Sequence, residues 1–275
     1  MPHPDNKQLT LYCQLPTLLH GLSFVIVSAK YTMPEGPSLV IAKEEMLPFK
    51  GKKIIAVSGN SKIEKERMLN KKLLDIKTWG KHLLLCFSGF TIRIHFLMFG
   101  KYLVNEKKDA APRIHLGFAD GEINFYTCSV KIIEEPLDEV YDWKADVLSD
   151  AWDAKAAKQK LKAIPATLVT DALLDQTIFS GVGNIIKNEV LYRIKVHPKN
   201  TVGSLPAKKL NELIKEARDY SFDFLKWKKE YTLRKHWLVH TKKICERDGD
   251  AIVKEYLGKT NRRTFFCNTC QVKYD

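Results

Sequence analysis

Three things are scarce in this 275-residue chain: acidic side chains relative to basic ones, cysteines placed to pair, and apolar runs long enough for a bilayer. Asp and Glu number 32 against 45 Lys and Arg, which leaves a formal charge of +13 and a pI near 9.3. An excess of that size favours a polyanionic partner, nucleic acid before membrane. Of the six cysteines, Cys13, Cys86 and Cys128 stand alone, while Cys245, Cys267 and Cys270 gather near the C-terminus. That distribution suits a reducing compartment and a metal site better than a disulfide framework. The run from Leu18 to Ala29 is moderately apolar but too short to span a membrane. Val27-Ser28-Ala29 could pass for a signal cleavage site, but almost no positive charge precedes it. No repeat and no long low-complexity run appears, so disorder does not dominate. The length suits two ordinary domains, each with its own core.

Residues 1–32 read unlike the rest and are expected to be an extension, either not native or disordered. Ser38 to Leu47 reads as a helix, with Pro37 at a first helical position, Leu39, Ala42 and Met46 on one face, and Pro48 as its stop. Short apolar runs follow at Lys53–Ser58, Leu73–Thr78, His82–Ser88, Phe90–Phe96, Arg113–Phe118, Glu122–Tyr126 and Val130–Ile133. Glycines punctuate them, and Asp120-Gly121 is a good hairpin turn, so the spacing predicts a β-sandwich or barrel. From about residue 148 the pattern becomes helical: Asp150–Leu161, Pro165–Leu174, Asn184–Tyr192 and Pro206–Lys229. Cys245 opens a terminal module.

Five stretches carry chemistry. Thr32-Met33-Pro34-Glu35-Gly36-Pro37 precedes the first helix. In Trp79-Gly80-Lys81-His82-Leu83-Leu84-Leu85 a lysine enters an apolar strand after a glycine turn; taken alone it reads as a solvated hairpin lysine. His95-Phe96-Leu97-Met98-Phe99-Gly100 ends another strand, and its periodicity alone reads as core packing. In Leu173-Leu174-Asp175-Gln176-Thr177-Ile178-Phe179-Ser180-Gly181-Val182-Gly183-Asn184-Ile185, two glycines allow a tight path into a helix start. Such a start offers unpaired N–H groups suited to a phosphate. Cys267-Asn268-Thr269-Cys270 is half of a metal site, and Cys245-Glu246-Arg247-Asp248-Gly249 looks like the other half. Asp248 stands where a second cysteine is expected, and His240 is an alternative fourth ligand.

In this order the five stretches resemble the Fpg/Nei family of DNA glycosylases, the formamidopyrimidine-DNA glycosylase and endonuclease VIII group, over residues 33 to about 272. The resemblance implies an α+β multidomain fold: a β-sandwich with a leading helix (33–145), a helix–two-turn–helix DNA-binding domain (146–235) and a zinc-finger-like β-hairpin (240–275). It implies a base-excision-repair enzyme with glycosylase and abasic-site lyase activity on oxidised bases in double-stranded DNA. By the family's pattern the chain begins at Met33, loses it, and uses the freed Pro34 as nucleophile. A secondary amine forms an iminium that is cationic without a proton, and that cation is an electron sink. Glu35 would move a proton to the opening sugar ring. Lys81 and Arg262 would hold the flanking phosphates and assist elimination, with Arg263 able to substitute. Leu97, Met98 and Phe99 would enter the gap left by the extruded base, Met98 foremost. Asn184 would bind DNA phosphate. A structural zinc is expected at Cys245, Asp248, Cys267 and Cys270, with no redox or nucleotide cofactor.

Some departures matter. Ser38 replaces a second acidic residue, and no Arg-Phe-Gly string follows Gly121. The link Glu230 to Lys243 leaves little room for a lid over an oxidised purine. The last two lean toward the endonuclease VIII side and oxidised pyrimidines. A monomer in the cytoplasm, on the bacterial nucleoid, is expected. Two other readings stay open: a non-catalytic damaged-DNA-binding protein whose proline is blocked, and an RNA-associated basic protein with a zinc ribbon.

Overall fold

The computed structural model describes residues 34–274. The expected extension over 1–32, Met33 and Cys13 lie outside the described residues.

The chain enters through helix α1 (Gly36–Met46), whose Leu39, Ala42 and Met46 are buried. Eight strands follow. One antiparallel sheet has the order β2 (Asp75–Trp79), β3 (His82–Phe87), β4 (Phe90–His95), β8 (Ser129–Ile133). The other runs β1 (Ala56–Ser58), β6 (Ile114–Phe118), β7 (Gly121–Tyr126), β5 (Lys101–Val104). Leu83, Leu85, Ile92 and Ile94 of the first sheet and Ile114, Leu116, Ile123 and Phe125 of the second form one sealed core. Leu84 points the other way, into a small cluster with Ile133 and Tyr141, flanked by Trp79 and Trp143. Both faces of β3 are therefore covered, which is why it reads as a continuous apolar run.

Two details depart from the sequence reading. The β6–β7 turn is Ala119-Asp120, since Phe118 pairs with Gly121 and that glycine already belongs to β7. Strand β5 carries no strong alternation, because all four of its residues are only half-buried at a sheet edge, and periodicity missed it.

Helices take over after residue 136: α2 (Leu137–Val140), α3 (Ala154–Lys162), α4 (Val169–Leu174), α5 (Asn184–Arg193) and α6 (Ala207–Lys229). Asp153 caps α3 through the N–H groups of Lys155 and Ala156. Helix α6 is amphipathic, with Leu210, Leu213, Ile214, Ala217, Tyr220 and Phe224 buried. Helix α5 is different: eight of its ten residues are buried, Lys187, Asn188 and Glu189 among them. A helix covered all round needs partners for its polar side chains. The C-terminal hairpin β9 (Val253–Leu257) and β10 (Arg262–Phe266) supplies several, lying directly against α5. Among the described residues no helix is long and apolar enough to cross a membrane.

Candidate active site

The start of α1, the Gly80 turn and the 180–183 loop converge to backbone contact. Gly36 donates its N–H to the Gly181 carbonyl at 2.9 Å. Gly80 has φ +52° and donates to the Asp146 carboxylate at 2.9 Å; a Cβ there would lie 2.0 Å from Ser180 Oγ. That turn carries Lys81 inward.

Glu35 is 2% exposed. Its carboxylate accepts the N–H groups of Gly183 (3.0 Å), Ile185 (2.7 Å) and Ile186 (3.2 Å), the first free donors of α5. A carboxylate about 150 positions away in the chain thus caps this helix. The N–H groups that the sequence offered to a phosphate are spent on Glu35, because a buried carboxylate needs donors just as the helix start needs acceptors. Gly183 is obligatory here, since a Cβ would sit 2.4 Å from the Glu35 carboxyl carbon. Burial raises the Glu35 pKa above the ordinary range, against the opposing pull of Lys81 and the three N–H groups.

Lys81 is partly buried. Burial lowers its pKa, Glu35 raises it and Arg262 lowers it further, so the three expected groups share one electrostatic field. Arg262 opens β10 and Arg263 follows it, exposed.

A cavity of about 460 Å³ lies beside Pro34, between α1, β5 and the last turn of α6. Ser38, Phe96, Tyr102 and Lys228 line it with Pro34. Tyr102 donates its hydroxyl to Glu45 at 2.7 Å. Above the cavity, Leu97, Met98 and Phe99 are exposed by 48%, 49% and 55%, so core packing is not their role. Leu97 has φ +52°, a strained value for a bulky residue. Its N–H donates to His95 Nδ1 at 3.1 Å, and Gly100 closes the turn onto the Phe96 carbonyl at 2.7 Å.

Asn184 gives its Nδ2 to the Arg263 carbonyl at 2.8 Å, and its Oδ1 receives Lys187 Nζ at 3.0 Å. The same ammonium donates to Thr264 Oγ1 at 2.9 Å. Lys187 is fully buried, and burial pushes its pKa down to about 7, opposed by Glu35 and Asp171. Sequence reasoning missed it. The one signal was a helix with no polar face, in which every charged residue must be spent on structure. One turn on, Glu189 accepts the N–H groups of Leu238 (2.9 Å), Val239 (3.0 Å) and His240 (2.8 Å).

At the far end of α5, Tyr192 touches Cys245 Sγ at 3.1 Å. Donor atoms of Cys245, Asp248, Cys267 and Cys270 all lie within 4.8 Å of one another. The Cys245 and Cys270 sulfurs are 3.7 Å apart, and Asp248 Oδ2 is 3.2 Å from Cys267 Sγ. Four ligands at about 2.3 Å from a tetrahedral ion sit roughly 3.8 Å from each other. The set therefore fits a four-coordinate metal. Arg247 adds a cation, lying 4.0 Å over the Tyr192 ring and 3.6 Å from Cys270 Sγ. His240 is not in the cluster. Its Nδ1 meets Asn188 at 3.1 Å, its ring packs edge-on against Trp237 and Phe265, and burial pushes it down to about 4.

Two family models match the chain. The formamidopyrimidine-DNA glycosylase N-terminal domain covers residues 33–129, and the formamidopyrimidine-DNA glycosylase H2TH domain covers 144–222. Endonuclease 8-like 3 of Mus musculus is 31% identical over 205 residues, 71% of this chain and 34% of that protein. Endonuclease 8-like 2 of Homo sapiens is 32% identical over 200 residues, 67% of this chain and 58% of that protein. Endonuclease 8-like L720 of Acanthamoeba polyphaga mimivirus is 25% identical over 87% of this chain and its own full length. The chain spans about a third of the length of the first of these relatives. Among solved structures, Lactococcus lactis formamidopyrimidine-DNA glycosylase bound to DNA containing an abasic site superposes with a TM-score of 0.77 at 23% identity, covering 87% of this chain and all of that one. A viral DNA glycosylase gives 0.74 at 21%, covering 86% and all of its chain. At those identities the likeness is one of fold.

Proposed function

The chain belongs to the Fpg/Nei family, on its endonuclease VIII side, and from that premise we propose a glycosylase that excises oxidised bases, pyrimidines foremost, and cleaves the resulting abasic site. The observation that carries the proposal is the buried Glu35 carboxyl, adjacent in sequence to Pro34 and sharing a field with Lys81 and Arg262.

The chemistry requires the Met33–Pro34 peptide bond to be open. A terminal amine titrates near ~8, so a useful share is unprotonated at neutral pH. Its lone pair attacks the sugar C1′, and the glycosidic electron pair leaves with the base. The amine's proton is lost, and the base takes up a proton as it departs. The ring then opens to the iminium as O4′ accepts a proton from Glu35, whose burial favours the protonated carboxyl. Loss of a C2′ proton expels the 3′ phosphate, and δ-elimination expels the 5′ phosphate. Lys81 and Arg262 would hold those phosphates. Leu97, Met98 and Phe99 would fill the vacated stack, their solvent exposure supporting that use.

Asn184 would present its second amide hydrogen to phosphate, because Lys187 and the Arg263 carbonyl already engage the rest of the amide. Zinc is the metal we assign to Cys245, Asp248, Cys267 and Cys270; bound there it would cross-link the Arg262 hairpin. The substrate is damaged double-stranded DNA, met as a monomer on the bacterial nucleoid, and the basic surface should make binding fall steeply with salt.

The test is a chain begun at Met33 and trimmed to Pro34, mixed with abasic-site DNA and borohydride. A covalent adduct is expected. Binding without an adduct would overturn the proposal in favour of a non-catalytic damage-binding protein.

A further inference from the structure

Resting on the phosphate-holding role proposed above for Arg262, we propose that Lys187 and Asp171 are positioning residues for it: from two helices they fasten the β9–β10 hairpin on either side of Arg262 and hold its guanidinium in register with the Asn184 amide.

The hairpin has only two strands, and such a pair has little stability of its own, so its direction is set by what it leans on. Strand β10 ends beside Cys267 of the four-residue ligand set. The far end is exposed at Lys259, Thr260 and Asn261, immediately before Arg262. Two charged side chains hold that end. On one side, Lys187 Nζ donates to Thr264 Oγ1 at 2.9 Å, and that hydroxyl donates onward to the Arg262 carbonyl at 3.0 Å. The same Nζ donates to Asn184 Oδ1 at 3.0 Å, while Asn184 Nδ2 donates to the Arg263 carbonyl at 2.8 Å. One buried nitrogen thus ties two consecutive carbonyls of β10 to α5, each through one side chain. On the other side, Asp171 of α4 accepts the Lys259 N–H with both carboxylate oxygens, at 3.0 and 3.1 Å. Gly258 lies against that carboxylate with φ +78°, and a Cβ there would be 2.2 Å from Asp171 Oδ1. Asn261 closes the turn onto the Gly258 carbonyl at 3.0 Å, and Arg262 is the next residue.

Packing alone does not call for this arrangement, since burying an ammonium costs more than burying methionine. The charges around Lys187 are Glu35 and Asp171, which favour the ammonium, and Arg262, which opposes it. Hydrogen bonds have direction, so they fix an angle as well as a distance. Angle matters here, because a guanidinium holds phosphate through a planar fork.

The experiment measures binding rather than turnover. The probe is a duplex with a tetrahydrofuran abasic analogue, which cannot form the iminium. It is titrated with the Met33-started enzyme at several salt concentrations. Each phosphate contact adds about 0.9 to the steepness of log affinity against log salt. Arg262→Ala should therefore lower the steepness by about 1. Thr264→Val removes the hydroxyl relay and changes no charge, whereas Asp171→Ala removes a negative charge. Electrostatics alone gives no fall for the first and a rise for the second. Both should instead fall by at least about half of the Arg262→Ala change, because the guanidinium loses its place. Lys187→Met, which loses both donations, should fall at least as far as Thr264→Val. Added to Arg262→Ala, neither Thr264→Val nor Asp171→Ala should lower the steepness further. Thr264→Ser keeps the hydroxyl and should keep the parent value. Should Asp171→Ala lower the melting temperature, Gly258→Ala, which parts the turn from the carboxylate and leaves every charge in place, repeats the comparison. The inference is overturned by an unchanged or greater steepness in Thr264→Val, Lys187→Met or Asp171→Ala, by a fall that persists beside Arg262→Ala, or by a fall in Thr264→Ser. A parent value in Arg262→Ala overturns it too, by removing the phosphate contact it rests on. Adduct formation by the parent enzyme tests the functional reading separately, since no step of this measurement passes through the iminium.

Discussion

The hairpin-facing and Pro34-facing sides of helix α5 handle charge in opposite ways. Toward the hairpin, the buried charges are matched: Glu189 by three backbone N–H groups and Lys187 by Asn184 and Thr264. Toward Pro34 the matching stops short. Glu35 has its three donors, as Glu189 does, but Leu97 holds a strained backbone and exposes its side chain to solvent together with Met98 and Phe99. The hairpin end uses polar groups to fix position, so satisfying them is the whole of their work. The Pro34 side keeps groups in reserve, and a reserve shows up as strain and exposure.

The contrast can be broken in order of expected effect. Glu35→Gln in the Met33-started enzyme should keep part of the α5 cap, since its one amide oxygen can replace only one of the two carboxylate oxygens that accept N–H groups, and it removes the proton donor. Single-turnover excision should fall by about 10²–10⁴, with DNA affinity nearly unchanged. Gly183→Ala attacks the same contact sterically, because its Cβ would land 2.4 Å from the Glu35 carboxyl carbon. A loss of roughly 3 kcal/mol is expected in thermal or denaturant unfolding, and a wild-type melting temperature would contradict the packing.

At the matched end, chelation or Cys267→Ser should release the metal and weaken DNA binding through the loosened Arg262 hairpin. Asp248→Cys should raise metal retention by about tenfold or more, since closed structural sites favour thiolate. Elemental analysis after competition with a chelator reads both. The smallest effect concerns Lys187. Its folded pKa of about 7 lies below the ordinary lysine value, so between the two the unfolded chain binds the extra proton. Stability relative to Lys187→Met should therefore rise as pH goes from about 7 toward about 10, and be lost as pH falls back through 7. A flat difference across that window would show Lys187 to be ordinarily protonated.

Much of the fold was legible. Seven of the eight sandwich strands coincide with apolar runs bounded by turn residues, and the amphipathic α6 follows its period. Helix α5 was located by its glycines, but its contents were opaque, because a helix buried on every side has no periodicity to read. His240 looked like a ligand by composition, and its ring is instead packed between Trp237 and Phe265. The glycine loop looked ready for a phosphate, and a carboxylate from the other end of the chain had taken its donors.

What the amino-acid order determines by itself is local: the turn glycines, the strand and helix periods, the Cys-x-x-Cys spacing and the excess of positive charge. Tertiary structure alone decided which distant groups meet. It set Glu35 on the start of α5, Lys187 between Asn184 and Thr264, and Lys228 in the cavity with Pro34. The physical reason is range. Backbone preference and apolar periodicity act over a few residues, whereas burial and charge are properties of a place that exists only once the chain has closed around it.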